Sequence, residues 1–300
     1  MNHLNNMMDE KDALEFIKET EDGSYRAVDA ELITKDAAVL LSQKEELYLN
    51  NLVEIDVETA LALTNPSSSL VYLELNEITS LDKETATALA ALKGELNLHG
   101  MPELSDDAAE GLGKHTGRLG LGSIITLSPL AAKHLSNHVG SIDLRAIEYL
   151  SDEAAENFAE YQGGLYFPNE LKTLSDRAAE AFSKNSCEGS MVLRSVENIS
   201  DAALGYLSKY GGQTIDLGVK SLSGEGASNL AKFNGDFLEL NSIDKLNDEA
   251  VDALCEFNGK LSLASLFTSG VSSLKSARKL SRRGKKQCPH VHPESWHPQI

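Results

Sequence analysis

A unit of about 23 residues recurs along almost the whole of this 300-residue chain. It reads Leu-x-Leu, two residues, an aliphatic, two more, then Leu-Ser-Asp-x-Ala-Ala-x-x-Leu and a Gly. Leu98 to Leu112 (LHGMPELSDDAAEGL) and Leu144 to Phe158 (LRAIEYLSDEAAENF) show it plainly. A unit this short cannot bury its own apolar face, so successive units must stack, and only a solenoid satisfies that.

Each unit predicts one strand and one helix. Apolar pairs two apart, Leu47/Leu49, Leu73/Leu75, Leu96/Leu98, Leu119/Leu121, Ile142/Leu144, Leu165/Phe167, Met191/Leu193, Ile215/Leu217, Leu238/Leu240 and Leu261/Leu263, mark a short strand with one buried face. A return of about 15 residues forces successive strands to run parallel, with right-handed crossovers. The return is helical. Thr34, Asp56, Asp82, Ser105, Ser128, Ser151, Ser175, Ser200, Ser223 and Asn247 share one register, and all are good N-cap types. Acids in the first turn complement the helix dipole, and inward alanines let each helix lie close to the strand layer. A Gly (Gly94, Gly117, Gly140, Gly163, Gly211, Gly235, Gly259) is expected to end the helix in the left-handed region. Asp9–Glu19 has helical spacing through Ala13, Phe16 and Ile17 and is expected to cap the N-terminal end.

This pattern resembles the leucine-rich repeat family, whose core is Leu-x-x-Leu-x-Leu-x-x-Asn/Cys-x-x-Leu. Its cysteine-containing subtype continues into a Thr/Ser-Asp helix start. Leu96, Leu98, Met101, Leu104, Ser105 and Asp106 fall on the corresponding places. At the Asn/Cys position this chain is aliphatic (Leu52, Ile78, Met101, Ile124, Ile147, Val196, Ile243), and its units are shorter. The resemblance implies an α/β, right-handed leucine-rich-repeat solenoid, with about eleven parallel strands on the concave face and short helices on the convex face. Residues 1–24 are then a helical cap, 25–274 the repeats, and 275–300 a basic, His/Pro-containing tail expected to be disordered.

A net charge of −19 argues against general binding to nucleic acid or anionic membranes. The tail is the exception, with seven Lys/Arg from Lys275 onward against the single acid Glu294. Cys187, Cys255 and Cys288 give no disulfide framework. No signal peptide is visible and no apolar run approaches the ~18 residues of a membrane span. A cytoplasmic monomer is the expectation.

The outward strand positions are free of the packing constraint and carry the functional expectation. Tyr48, Tyr72, Glu74, Asn97, His99, Asp143, Arg145, Tyr166, Arg194, Asp216 and Glu239 are the candidate binding residues, because exposed aromatics, Arg and a polar rim suit recognition. The resemblance implies a protein or peptide as partner. An acidic face prefers a basic or polar one, with charge reversal at Glu74, Asp143, Asp216 and Glu239 as its test.

No catalytic centre emerges. His115 and His138 share a register with Leu92, Tyr161, Tyr210, Phe233 and Phe257, which marks a packing column. His134 and His138 lack a further ligand, each Ser-Asp pair reads as cap plus first turn, and no phosphate-loop or Gly-x-Ser-x-Gly pattern occurs. Cys288, His290, His292 and His297 are borderline-soft ligand types, but their spacing matches no zinc finger and Pro289, Pro293 and Pro298 keep the segment extended. No cofactor and no metal is expected. The expected function is a non-enzymatic scaffold; the alternatives are a secreted effector, or nucleic-acid or anionic-surface contact through the tail.

Overall fold

The computed structural model describes residues 6–20, 27–159, 161, 163–166, 169–184 and 189–266, with the side chains of 164–166 left aside. Tyr166's side chain, Cys187 and the whole 275–300 tail, with its four Cys/His residues, lie outside the described residues. The chain forms two compact units, one of residues 1–147 with 163–166, the other of 148–162 with 167–300.

In the first unit six strands form one parallel sheet in sequence order: β1 (Glu46–Tyr48), β2 (Tyr72–Glu74), β3 (Glu95–Asn97), β4 (Arg118–Gly120), β5 (Ser141–Asp143) and β6 (Gly164–Tyr166). The register aligns Leu47, Leu73, Leu96, Leu119, Ile142 and Leu165. Helices α1 (Glu10–Glu19), α2 (Lys35–Leu41), α3 (Val57–Leu63), α4 (Lys83–Leu89), α5 (Asp106–Leu112) and α6 (Pro129–Leu135) pack side by side as a second layer. The second unit repeats the design. Its sheet is β7 (Ser190–Leu193), β8 (Thr214–Leu217), β9 (Phe237–Glu239) and β10 (Lys260–Ser262), with Met191, Ile215, Leu238 and Leu261 in register. Its helices are α7 (Asp152–Ala159), α8 (Asp176–Lys184), α9 (Asp201–Leu207), α10 (Gly224–Leu230) and α11 (Asp248–Leu254).

The core lies between the strand and helix layers. Leu47, Leu73, Leu96, Leu119 and Ile142 are buried, as are the helix alanines Ala108, Ala109, Ala131 and Ala132. The aliphatic loop column from Leu52 through Ile243 is buried too, so the turns after the strands are closed by apolar contact. All ten cap positions behave as expected. From Thr34 to Asn247 each side chain accepts the backbone N–H three residues on. Helix α1 carries its own capping box on Asp9, and Ala13 and Phe16 bury it against α2.

The glycines differ from expectation. Helices end earlier, at residues such as Ala90, Gly113 and Ser136, which stay right-handed. Among the described glycines only Gly140 has a positive φ, of 141°. Gly94, Gly117 and Gly140 sit instead where the chain enters a strand against the preceding repeat. A Cβ at Gly117 would lie 1.7 Å from the Gly94 oxygen. Close approach of neighbouring backbones, rather than helix termination, selects glycine there.

Candidate functional site

The strands of the first unit carry a connected polar and aromatic network on their outward face. On β3, Asn97 donates to the Tyr72 hydroxyl (3.0 Å) and to Glu95 (3.0 Å). On β2, the Tyr72 hydroxyl donates to Glu74 at 2.5 Å, and Asn76 donates to the other Glu74 oxygen at 2.8 Å. On β1, Tyr48 donates to Glu46 at 2.8 Å, and its ring lies 5.0 Å from that of Tyr72, tilted by 42°. Period-two alternation puts these side chains opposite the buried leucines, and parallel register brings them into columns. Burial and the Glu74 hydrogen bond raise the Tyr72 phenol above its ordinary pKa, so it stays protonated.

The acids expected to be freely outward divide into two classes. Asp143 and Asp216 are buried, at 1% and 4% exposure, as is Asn97. Arg145 clasps Asp143 with its Nε and an NH2 group at 2.7–2.9 Å. Arg194 Nε reaches Asp216 at 2.6 Å across neighbouring strands of the second unit. Each arginine is itself more than half exposed. A carboxylate this buried requires such a partner, so these two acids are committed to holding the face together. Glu74 and Glu239 are half-buried and turn toward Asn76 and Asn241.

A second feature of the face is legible only in the structure. His99 Nδ1 accepts the N–H of Gly122, and Asn241 Oδ1 accepts the N–H of Ala264, each one repeat onward in the same column. Side chains just past the strands thus tie one repeat to the next. For His99 the contact leaves the proton on Nε2. The only sequence signal was the recurrence of polar residues at that column.

The packing column at the far end of each repeat is as expected. His115 and His138 are buried in contact, ring centroids 5.5 Å apart, in the register that Phe233 and Phe257 fill in the second unit. Among the described residues no three His, Cys, Asp or Glu side chains cluster as a metal site, and no helix is long and apolar enough to cross a membrane.

No protein-family model matches the chain, and no curated protein sequence matches it. Solved structures do. The TLR13–ssRNA13 complex matches over 77% of this chain at 16% identity with a TM-score of 0.57. The Drosophila Toll–Spatzle complex matches over 79% at 15% identity, TM-score 0.52. The fold is that of the leucine-rich repeat proteins. A Leptospira interrogans leucine-rich repeat protein also matches, over 85% of this chain and 74% of its own, at 17% identity and TM-score 0.49. The chain spans about a third of the length of the TLR13 and Toll-complex chains, 34% and 35%.

Proposed function

We propose that the chain is a non-enzymatic scaffold that binds a protein or peptide on its strand face. The observation that carries this reading is the network from Glu95 through Asn97, Tyr72 and Glu74 to Asn76. Packing of the repeats requires nothing of these outward positions, yet they hold two tyrosines and a run of polar groups in fixed orientations. Preorganised side chains on rigid strands lose little entropy when a partner docks. A protein partner suits the face better than RNA. The complexed TLR13 structure holds ssRNA13, but a chain of net charge −19 repels a phosphate backbone.

Within this reading Tyr48, Tyr72, Glu74, Asn97, His99 and Arg145 form or border a docking surface on the first unit, and Arg194 and Glu239 belong to the strand face of the second, while Asp143 and Asp216 act by holding the two arginines. Crosslinking with mass spectrometry on protein isolated from its own cells tests it. Crosslinks to a partner should fall at or beside the strands. Crosslinks confined to the helix layer would overturn the proposal.

A further inference from the structure

We propose that Tyr48 and Tyr72, with the carboxylates of Glu46 and Glu74, receive the guanidinium group of an arginine side chain on a protein partner. This rests on the strand-face reading above and names the chemistry that one part of that face takes.

The geometry is that of a half-built cation site. The two rings lie on adjacent parallel strands with centroids 5.0 Å apart and a 42° tilt, so they flank one another as a shallow wall. Each phenol donates its hydrogen bond to a carboxylate, Tyr48 to Glu46 and Tyr72 to Glu74. A phenol that donates to an anion has a more electron-rich ring, which strengthens the attraction of that ring for a cation. Asn97, donating to the Tyr72 oxygen, fixes this arrangement from the other side.

The charge pattern says what is missing. Three other acids of the strand strips have a cation from the chain itself: Arg145 on Asp143, Arg194 on Asp216, and Arg118 at 3.6 Å from Glu95. Glu239 has the neutral donor Asn241 and, among the described residues, no tyrosine pair beside it. Glu46 and Glu74 face no lysine or arginine at ion-pair distance among the described residues. They are held only by neutral donors, from Tyr48, Tyr72 and Asn76. Acceptors outnumber donors, beside two aromatic faces and at net negative charge. A guanidinium supplies five N–H donors in a planar fork that both stacks on a tyrosine ring and engages a carboxylate with two bonds. An ammonium offers the charge without the plane.

The full-length chain, labelled with carbon-13 on tyrosine rings and assigned with Tyr48→Phe and Tyr72→Phe, is titrated with the peptide acetyl-Gly-Arg-Gly-Arg-Gly-amide. Its citrulline counterpart, of the same shape without the charge, and its lysine counterpart serve as comparison. The arginine peptide should move the Tyr48 and Tyr72 ring signals saturably. Binding of the citrulline and lysine peptides should be weaker, the former by about tenfold or more. Glu46→Gln with Glu74→Gln should weaken arginine-peptide binding by about tenfold while the circular dichroism spectrum and melting temperature hold. Glu225→Gln, on helix α10 of the second unit, should leave it unchanged. Equal binding of the citrulline peptide, equal binding of the lysine peptide, or no effect of the double substitution would each overturn the assignment. Partner crosslinks that stay on the strand face in a double variant of undiminished affinity overturn this inference and leave the scaffold reading intact. Crosslinks confined to the helix layer overturn both.

Discussion

Ser223 Oγ donates a 2.7 Å hydrogen bond to Asp201 Oδ1, joining the N-cap of α10 to the first residue of α9 one repeat earlier. The same hydroxyl accepts the N–H of Gly226 as the cap of its own helix. Ser128 with Asp106, Ser175 with Asp152, and Ser200 with Asp176 repeat the contact. The recurrent Ser-Asp pair therefore has two tasks. Serine caps one helix and binds the helix before it, while aspartate faces the helix dipole and accepts from the next cap.

Ser223→Ala should destabilise the chain by roughly 1–2 kcal/mol, since it removes the cap acceptor together with the link between repeats. Asp201→Ala should cost less. A double-mutant cycle read by denaturant melts should give a coupling of at least about 0.5 kcal/mol. Additive single effects would show that the inter-repeat bond contributes nothing.

The buried histidines should make stability fall on acidification. Burial lowers both imidazoles, with His138 brought to about 4 by desolvation and then by its neighbour His115. In the unfolded chain both take up protons near the usual pKa of ~6.5. Between those values the unfolded state binds more protons, so the stabilising difference is full above about pH 6.5 and is lost as pH falls toward 4. His138→Phe places in the column the residue type that Phe233 and Phe257 already provide. The variant should show a smaller drop in melting temperature between pH 7 and pH 4.5. An unchanged drop would place the acid sensitivity elsewhere.

Gly117→Ala should be severely destabilising, by about 3 kcal/mol or more, because its methyl group would overlap the Gly94 carbonyl and neither backbone can retreat without opening the sheet. Gly211→Ala has nothing within 4 Å of the added carbon and should change stability by no more than about 0.5 kcal/mol. Thermal melts of the two variants separate close approach from a general need for glycine. Equal losses would refute that distinction.

Arg145→Ala should destabilise the first unit, as it strands the buried Asp143 carboxylate without its bidentate partner. The exposed half of the arginine limits the loss to roughly 2 kcal/mol. Adding Asp143→Asn should recover part of it, because a neutral amide tolerates burial better than an unpaired charge. A double variant less stable than Arg145→Ala would contradict this.

The architecture was legible because repetition amplifies weak local signals. One Ser before one Asp-x-Ala-Ala says little, but ten cap positions in one register fix the helices, and paired leucines fix the strands. The shared register likewise puts His115 and His138 in a packing column with Phe233 and Phe257. It misplaced the glycines, since a helix end and a tight strand entry ask for the same residue for different physical reasons. It also counted Asp143 and Asp216 among the free outward acids, because pleat alternation assigns a face but says nothing of what a long neighbouring arginine will cover.

Local spacing acts within one repeat, so the sequence by itself determined the period, the strand and helix of each unit, the caps and the buried face. Contacts between repeats depend on side-chain reach across about 4.8 Å of strand separation, and only the tertiary structure decided those. It set Ser223 against Asp201, tied His99 to Gly122, neutralised Asp216 with Arg194, and left Glu46 and Glu74 beside two tyrosines with no lysine or arginine at ion-pair distance among the described residues.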